Sequence, residues 1–356
     1  MPITRRQLLA MTTATAASGI PTSAQTRRSQ MGVGSASYMF RITAERRGDP
    51  KARVGAGGFF ETLNFIDYCH SLGAGGVQCA LTSNDGGYTK KVRQKCEEHG
   101  MYFEATVSLP QTEADVDSFN DALKAVRQVG ASVVRAVMLT GRRYETFDSL
   151  AAWDAFVTQS WKRLTLAEPA LRKQKIFLAL ENHKDWRIDE MLGILQRISS
   201  EYVGVCVDVG NNIGLLEDPL DLTQAFAPYA KSVHLKDMAL EAYEDGFLLS
   251  EVPFGAGYLD LKRIVEILRQ ANPAIRISLE MITRDPLPIP IFTDKYWATM
   301  PTVPGRHLAH TLRTLRDTKW NQPLPRYGQR SPDQQLKAED ENVKRCLAYA
   351  VEKLNL

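Results

Sequence analysis

The chain has 356 residues, of which 44% are hydrophobic and 24% are charged, and its formal net charge is +3. This composition is ordinary for a globular protein and supplies enough apolar residues for one large core, such as an α/β barrel of about 250 residues. The near-neutral charge gives no argument for binding nucleic acid or an anionic membrane, because both polyanions are usually met by a strongly basic surface.

The N-terminal segment has the layout of an export signal. It reads TRRQLLAMTTATAASGIPTSAQ, in which Arg5 and Arg6 precede a weakly apolar stretch, and Thr22 and Ala24 form a small-residue cleavage pattern. We predict that residues 1–24 are a twin-arginine-type signal peptide and that the mature protein is periplasmic or secreted. A disordered basic tail is the alternative interpretation. No later segment has about 18 consecutive apolar residues, so we expect no membrane span after the signal is removed.

The body of the chain alternates short apolar runs with amphipathic segments of helical length. The predicted strands are Met31–Tyr38, Gly76–Leu81, Tyr102–Leu109, Ser132–Leu139, Lys175–Glu181, Gly204–Asp208, Ser232–Leu235 and Ile275–Glu280. The predicted helices are Gly58–Leu72, Ala114–Val129, Ser149–Leu171, Arg187–Ile198, Pro219–Tyr229 and Leu259–Gln270. Strands that alternate with helices pair in parallel, and eight of them can close a barrel. We therefore predict a (β/α)8 TIM barrel over residues 25–304, and the absence of a GxGxxG motif argues against a dinucleotide-binding sheet.

Two segments interrupt this alternation. Ala239–Gly257 follows the seventh strand, and the proline-rich Met281–Pro304 forms an extended C-terminal loop after the eighth. Both leave the carboxyl ends of strands, where barrel active sites are built, so they either shape a site or merely cover the barrel mouth. Residues 305–356 are predicted to be a helical extension packed on the barrel, with one amphipathic helix over Gln334–Leu356.

The cysteines give no sign of a disulfide framework or of a zinc site. There are five, at Cys69, Cys79, Cys96, Cys206 and Cys346, without a CxxC pair. Two of them, Cys79 and Cys206, lie inside apolar runs, so we expect buried thiols.

Four successive apolar runs each end in an acidic or imidazole side chain. The runs KIFLALE, VGVCVD, AKSVH and IRISLE end at Glu181, Asp208, His234 and Glu280. A charged side chain at the end of an apolar strand is costly to bury without a partner, and one divalent cation would pair with all four. Carboxylates with one imidazole suit Mn²⁺ first, then Mg²⁺, Zn²⁺ or Co²⁺. Taken singly, Asp208 could be a helix cap and His234 a hydrogen-bonded core residue.

These runs resemble the xylose isomerase-like TIM barrel superfamily, which includes sugar isomerases, 3-epimerases, inosose dehydratase and the apurinic endonucleases. The resemblance spans roughly residues 31–285 and is carried by LALENH (178–183), VCVDVGN (205–211), SVHLKD (232–237), VPFGAGYLDL (252–261) and ISLEM (277–281). It implies that Glu181, Asp208, His234 and Glu280 bind the metal. It also implies that Glu181 and Glu280 are the catalytic proton-transfer residues.

Two positions depart from the pattern of the family. Many members have His three residues after the Asp ligand, where this chain has Asn211, and the epimerases have Arg six residues after the His ligand, where this chain has Leu240. Asn211 can hydrogen-bond a substrate hydroxyl but cannot act as an acid near neutral pH. The other candidate substrate contacts are His183, Lys236 and Arg284. As alternatives, His183 would brace a metal ligand, and the two cations would form surface ion pairs.

The resemblance implies a sugar isomerase or epimerase that works through a metal-stabilised enediolate, with one Glu removing a proton and the other returning it. The alternative is a lyase, dehydratase or decarboxylase that acts on a keto-sugar or sugar acid, and the two departures favour it in part. A repair endonuclease would need a histidine-rich zinc cluster, whereas only His183 and His234 sit at strand ends. A non-catalytic sugar-binding barrel would not need all four ligands. We expect a small carbohydrate as partner and no nucleic acid, and a homo-oligomer is compatible with such barrels.

Overall fold

Parallel strands close a barrel in the computed structural model, which describes residues 28–318 and 323–356. The described strands are β1 (Gly32–Gly34), β2 (Gly76–Cys79), β3 (Tyr102–Thr106), β4 (Val133–Ala136), β5 (Phe177–Glu181), β6 (Val203–Asp208), β7 (Ala230–Leu235), β8 (Asp237–Tyr243), β9 (Gly246–Val252), β10 (Ile277–Leu279) and β11 (Leu287–Ile289). Strands β1 to β7 pair in chain order, and β10 pairs with both β7 and β1 to close the barrel. The predicted TIM barrel is confirmed.

Helices follow most of the barrel strands and cover their outer faces. They are α1 (Met39–Arg46), α2 (Thr62–Ser71), α3 (Gly86–His99), α4 (Val116–Val129), α5 (Arg143–Thr146), α6 (Leu150–Gln174), α7 (Ile188–Ile198), α8 (Pro219–Phe226), α9 (Leu261–Ala271), α10 (Asp294–Trp297), α11 (Gly305–Asp317) and α12 (Pro332–Lys353). Local sequence sets several ends. Asp218 caps the start of α8 beside Pro219, and Gly130 ends α4 with a left-handed φ of 92°.

Two elements differ from the sequence-based expectation. The first predicted strand, Met31–Tyr38, is a strand only at β1, because the Ser37 hydroxyl donates to the Leu279 carbonyl (3.2 Å) and accepts the Met281 N–H (3.1 Å). These bonds turn the chain into a 3₁₀ turn and then α1. Helix α3 was not predicted, since its sequence is strongly polar and buries only Thr89, Val92 and Cys96.

The two interrupting segments build a second sheet. Strands β8 and β9 form an antiparallel hairpin, and β11 from the proline-rich segment pairs with β9. One face of this sheet, with Leu240, Phe247 and Ile289, packs in an apolar cluster with Tyr144 and Leu215 from the loops after β4 and β6. The sheet therefore covers the carboxyl ends of the barrel strands, the end at which the four predicted metal ligands lie.

The C-terminal helix α12 packs against the first helix of the barrel. The Glu339 carboxylate accepts the backbone N–H groups of Phe40 (2.5 Å) and Arg41 (2.9 Å) at the start of α1. Asp340 pairs with the Arg41 guanidinium at 3.0 Å. An unpaired N–H at the start of a helix favours a negative group, so Glu339 satisfies donors that α1 cannot satisfy itself.

The cysteines and the N-terminal segment were also subjects of sequence-based predictions. All five cysteines are buried and free, as expected. The predicted signal peptide, residues 1–24, lies outside the described residues. Within residues 28–318 and 323–356, no helix combines the length and apolar character needed to cross a membrane.

A buried carboxylate, Asp237, ties the hairpin to the turn that follows it. Its Oδ1 accepts the N–H groups of Met238 (2.9 Å) and Leu259 (3.2 Å), and its Oδ2 accepts those of Gly255 (2.9 Å) and Gly257 (3.0 Å). Gly255 has a φ of 78°, which favours glycine. Although burial raises the pKa of Asp237 to about 6, it is still ionised at neutral pH. The acidic residue next to Lys236 is therefore a backbone anchor.

We predict that Asp237→Asn destabilises the protein by about 2–4 kcal/mol, because the amide NH₂ cannot accept the two N–H groups that one carboxylate oxygen now holds. Urea unfolding followed by circular dichroism would measure the change. The exposed Asp117 on α4 gives a matched control, and Asp117→Asn should shift stability by less than about 0.5 kcal/mol. Equal effects of the two substitutions would contradict the anchoring role.

Candidate metal centre

Successive barrel strands bring the four predicted ligands together at one end of the barrel. In the parallel registers, Glu181 of β5 lies beside Cys206, Asp208 of β6 lies beside His234 of β7, and Glu280 directly follows β10. All four side chains are at most 3% exposed. One ligand atom from each lies within 4.8 Å of those from the other three. The sequence-predicted cluster is therefore a buried group of donors on adjacent strands.

The spacing of the donor atoms matches that around a small divalent ion. His234 Nδ1 is 3.3 Å from Glu181 Oε2, 3.4 Å from Glu280 Oε1 and 3.8 Å from Asp208 Oδ2. Two ligands that are each about 2.1 Å from one ion, at an angle of about 90–110°, lie roughly 3.0–3.4 Å apart. The four residues fit such an ion with little rearrangement. Cys206 also lies near Glu181 and His234, so one softer donor borders the site.

The hydrogen bond on the far side of His234 orients its free nitrogen. His234 Nε2 is 2.6 Å from Gln78 Oε1, and an amide oxygen can only accept, so Nε2 carries the proton. In the neutral imidazole, Nδ1 then presents a lone pair to three carboxylates, and this buried nitrogen has no hydrogen-bond partner in the described structure. A lone pair facing carboxylate oxygens is repulsive, and either a proton on Nδ1 or a bound cation removes the repulsion. Burial opposes protonation, but Cys206, Glu280 and Glu181 raise the pKa of His234 well above its usual range. The donor set therefore fits a divalent ion, and Gln78 selects the metal-binding tautomer.

Gln78 is itself fixed by buried polar groups on neighbouring strands. Its Nε2 donates to Glu104 Oε2 (3.1 Å), which also accepts from the Ser232 hydroxyl (2.6 Å). Burial raises the pKa of Glu104. Sequence analysis missed both residues, although Gln78 and Glu104 are polar residues inside the apolar runs of β2 and β3. Such isolated polar residues inside barrel strands were the available signal.

Lys236, predicted as a substrate contact, lies against two of the predicted ligands. Its Nζ is 2.7 Å from Asp208 Oδ2 and 2.5 Å from Glu280 Oε2. The ammonium thus offers positive charge to the same carboxylates that would bind the ion. Burial opposes the charge of Glu280, but Lys236 and His234 hold its pKa well below the usual range.

An arginine that sequence analysis missed holds another ligand. Arg135 on β4 donates from Nε to Glu181 Oε2 at 2.5 Å, and its Nη2 pairs with the same oxygen. Burial disfavours the arginine charge, yet Glu181 and Glu280 outweigh this effect and raise its pKa. The available signal was a lone charge in the apolar run ASVVRAVML.

The other predicted substrate contacts have partners within the protein. His183 Nδ1 is 3.0 Å from the Leu139 carbonyl, so its described hydrogen bond does not brace Glu181. The Asn211 backbone N–H donates to Asp208 Oδ1 (3.1 Å), and the Asn211 Nδ2 lies 3.5 Å from Glu181 Oε1. Arg284 donates through Nε and Nη2 to the carboxylate of Glu251. Asn211 thus borders the centre, whereas His183 lies at its edge.

Two further charged residues reach the centre, and neither was predicted. Glu251, from β9 of the covering sheet, accepts Arg284 Nη2 (2.5 Å) and Nε (3.1 Å). Burial opposes its charge, but Arg284, Lys236 and Lys184 lower the pKa of Glu251 to about 2. Lys184 is 3% exposed, donates to Asn211 Oδ1, and has a left-handed φ of 61°. Burial lowers its pKa to about 8.

The fold and the site define a TIM barrel with a candidate divalent-metal centre at the carboxyl ends of its strands. A family model described as xylose isomerase-like TIM barrel matches residues 66–301, which is more than half of the chain. The chain belongs to this family.

Individual relatives are distant. The 3-oxo-isoapionate decarboxylase of Pectobacterium atrosepticum is 29% identical over 103 residues, which are 28% of this chain and 38% of that enzyme. The chain thus matches well under half the length of this curated relative. A D-psicose 3-epimerase structure determined with D-fructose covers 81% of this chain and 96% of its own, with a TM-score of 0.52 and 14% identity. A xylose isomerase-like TIM barrel protein from Mycobacterium smegmatis, in complex with magnesium, covers 74% of this chain and 94% of its own (TM-score 0.50, 14% identity). Both likenesses show the shared fold.

We predict that the purified protein binds one divalent ion and that Asp208→Ala abolishes this binding, because alanine offers no donor atom in place of the carboxylate. Elemental analysis after dialysis against Mn²⁺ would give the stoichiometry. Ion binding should also stabilise the wild type, by about 2.7 kcal/mol at an ion concentration of 100 Kd. Glu217→Gln, which alters a buried carboxylate paired with Arg187 away from the centre, should keep the ion. A wild-type protein without bound metal would contradict the assignment.

We predict that Gln78→Leu weakens metal binding by about 10–100-fold, because the His234 Nε2–H loses the acceptor that fixes its tautomer. Competition with a chromogenic chelator for Mn²⁺ would measure the Kd of the protein for the ion. Gln94→Leu removes an exposed glutamine from α3 and should leave the Kd unchanged. If both variants bind metal as tightly as the wild type, Gln78 does not tune the ligand.

Proposed function

We propose that the protein is a divalent-metal-dependent enzyme that transfers protons at a carbon beside the carbonyl of a keto-sugar or sugar acid, an isomerase or epimerase by class. The observation that carries this proposal is the free Nδ1 of His234, which faces three carboxylates at 3.3–3.8 Å. A bound divalent cation would take the place of a proton on Nδ1 and compensate all three carboxylates, and the family membership agrees with sugar chemistry at this end of the barrel.

The bound ion would supply a Lewis acid that stabilises the negative charge developing on two neighbouring substrate oxygens. Proton transfer belongs to Glu181 and Glu280. These carboxylates come from β5 and from the end of β10, which are separated in the barrel by β6 and β7. They therefore approach a central substrate from different directions, so one can remove a proton and the other can return one.

The cations beside these glutamates keep them ionised and oriented. Arg135 holds Glu181, and Lys236 holds Glu280. A carboxylate that already has a fixed partner loses less conformational freedom when a substrate binds, which favours a defined proton-transfer geometry. The Asn211 amide, which lies 3.5 Å from Glu181 Oε1 and donates to the Asn182 carbonyl, is the group we propose as donor to a substrate hydroxyl.

Decarboxylation of a keto sugar acid is the second candidate. In that reaction the bond between the carboxylate and the carbon beside the carbonyl breaks, and its electron pair remains as an enediolate. CO₂ leaves, and the same carbon then takes a proton that comes from solvent water and is delivered through one of the glutamates. The decarboxylase relative favours this reaction. So does the chain itself, because Asn211 stands where many members of the family have His and Leu240 stands where the epimerases have Arg, and Leu240 is buried in the covering sheet.

The predicted export signal bears on the substrate. A periplasmic or secreted enzyme would meet free sugars and sugar acids, since phosphorylated sugars are largely cytoplasmic. We also propose Mn²⁺ as the ion, because three carboxylates and one imidazole form a predominantly hard donor set.

We predict that Glu181→Gln and Glu280→Gln keep the metal but lower kcat by about 10²–10⁴-fold, because glutamine can still offer an oxygen but cannot exchange a proton. Metal analysis would be combined with NMR detection of deuterium incorporation in D₂O, on a panel of keto-sugars and sugar acids. Deuterium incorporation without CO₂ release indicates isomerisation, and release of CO₂ indicates decarboxylation.

Glu217→Gln serves as the control, because it removes a buried carboxylate that does not face the centre. Full activity in both glutamate variants would exclude their role in proton transfer. No deuterium incorporation and no CO₂ release with any compound would contradict the enediolate chemistry.

A further inference from the structure

Lys184 is a buried cation without a carboxylate partner. Its side chain is 3% exposed, and its hydrogen bond goes to the neutral Asn211 Oδ1. No carboxylate in residues 28–318 or 323–356 lies within 4.0 Å of its ammonium. Burial of an ammonium with a neutral partner is costly, and the backbone adds strain through the left-handed φ of 61°. Costly and strained arrangements of this kind cluster at functional sites.

The charges around Lys184 are balanced only before an ion is added. With the His234 imidazole neutral, as a metal ligand requires, the centre has four cations, Arg135, Lys184, Lys236 and Arg284, and four carboxylates, Glu181, Asp208, Glu251 and Glu280. A divalent ion would therefore leave two positive charges in excess. The ion would also compete with Lys236 for Asp208 and Glu280, so a second buried ammonium would lose much of its pairing. A centre with this excess favours an anionic substrate.

Lys184 is linked to the candidate metal centre through Asn211. It follows β5 by three residues, and Asn211 links it to the ligand residues, because the Asn211 amide is 3.5 Å from Glu181 and its backbone N–H binds Asp208. Arg284, by contrast, is already neutralised by Glu251 in a two-pronged pair. Among the four cations, Lys184 is thus the one whose charge is available without breaking an ion pair.

We propose that the substrate carries a carboxylate and that Lys184 binds it beside the metal, with Lys236 as second cation. This inference rests on the proposed function and narrows it from sugars in general to sugar acids. It agrees with both reactions considered above, since a keto sugar acid can be isomerised or decarboxylated. Lys184 is then a specificity-determining residue.

The test uses sugars that differ only at the charged group. D-Fructose and 2-keto-D-gluconate differ by a CH₂OH against a carboxylate at C1, and D-xylulose with 2-keto-D-xylonate gives a second pair of the same kind. Isothermal titration calorimetry would measure the Kd of each for the full Mn²⁺-loaded protein. We expect each acid to bind at least about tenfold more tightly than its neutral counterpart, as a charge-assisted hydrogen bond provides.

Two variants isolate the lysine. Lys184→Met approximately keeps the volume and removes the charge, so it should reduce the preference for the acid to less than about threefold and weaken the binding of the acid much more than that of the neutral sugar. Lys184→Arg keeps the charge and should restore the preference. Metal content and melting temperature, measured on both variants, show that the centre is intact. If Lys184→Met does not fold, the comparison of Lys184→Gln with Lys184→Arg replaces it.

Three results would overturn the inference. They are equal binding of acid and neutral sugar by the wild type, no binding of either acid at about 10 mM, and equal weakening of both sugars by Lys184→Met. A different result would contradict the proposed function and leave the carboxylate preference standing. In that result the wild type binds no metal, or produces neither deuterium incorporation nor CO₂, yet the protein still prefers the acid in a Lys184-dependent manner.

Discussion

The compensation of buried charge at the carboxyl ends of the barrel strands is the constraint on which the structure of the site depends. Glu181, Asp208 and Glu280 come from β5, β6 and the end of β10, which are joined through β7 in fixed register, so their backbones cannot move apart without opening the barrel. Like charges held this closely need cations. The protein places Arg135 and Lys236 directly on them and turns the free nitrogen of His234 toward them. The chemistry proposed for the centre follows from this requirement.

Much of the fold and the ligand set could be predicted because each depends on short, continuous stretches of sequence. An apolar run that ends in Glu, Asp or His is visible in a single stretch of sequence, and parallel strands bring such ends together. Arg135, Gln78 and Glu104 lie inside runs instead, and whether they face the barrel interior depends on the register, which a single run does not define. Glu251 was beyond prediction, since its place depends on how the hairpin folds back over the barrel.

The covering sheet shows how one fold can acquire a particular substrate. The barrel supplies the four candidate ligands, and the hairpin supplies Glu251. Glu251 forms an ion pair with Arg284, whereas the hydrogen bond described for Lys184 goes to the neutral Asn211. Leu240, at the position where the resemblance expects an arginine, has become part of the apolar face of this sheet. The position of Glu251 and the burial of Leu240 thus both follow from the hairpin, as is common where loops on a shared barrel determine specificity.

The contact between Glu339 and the start of α1 has a consequence for the order of folding. The two partners are about 300 residues apart in sequence, and β10 must also reach β1 before the barrel is closed. A nascent chain that is still emerging from the ribosome thus has an exposed sheet edge and an uncapped first helix until α12 has been synthesised. Contacts over such long separations form slowly, and incomplete barrels expose apolar surface. Chaperone protection during synthesis would therefore matter more for this chain than for one whose ends fold independently.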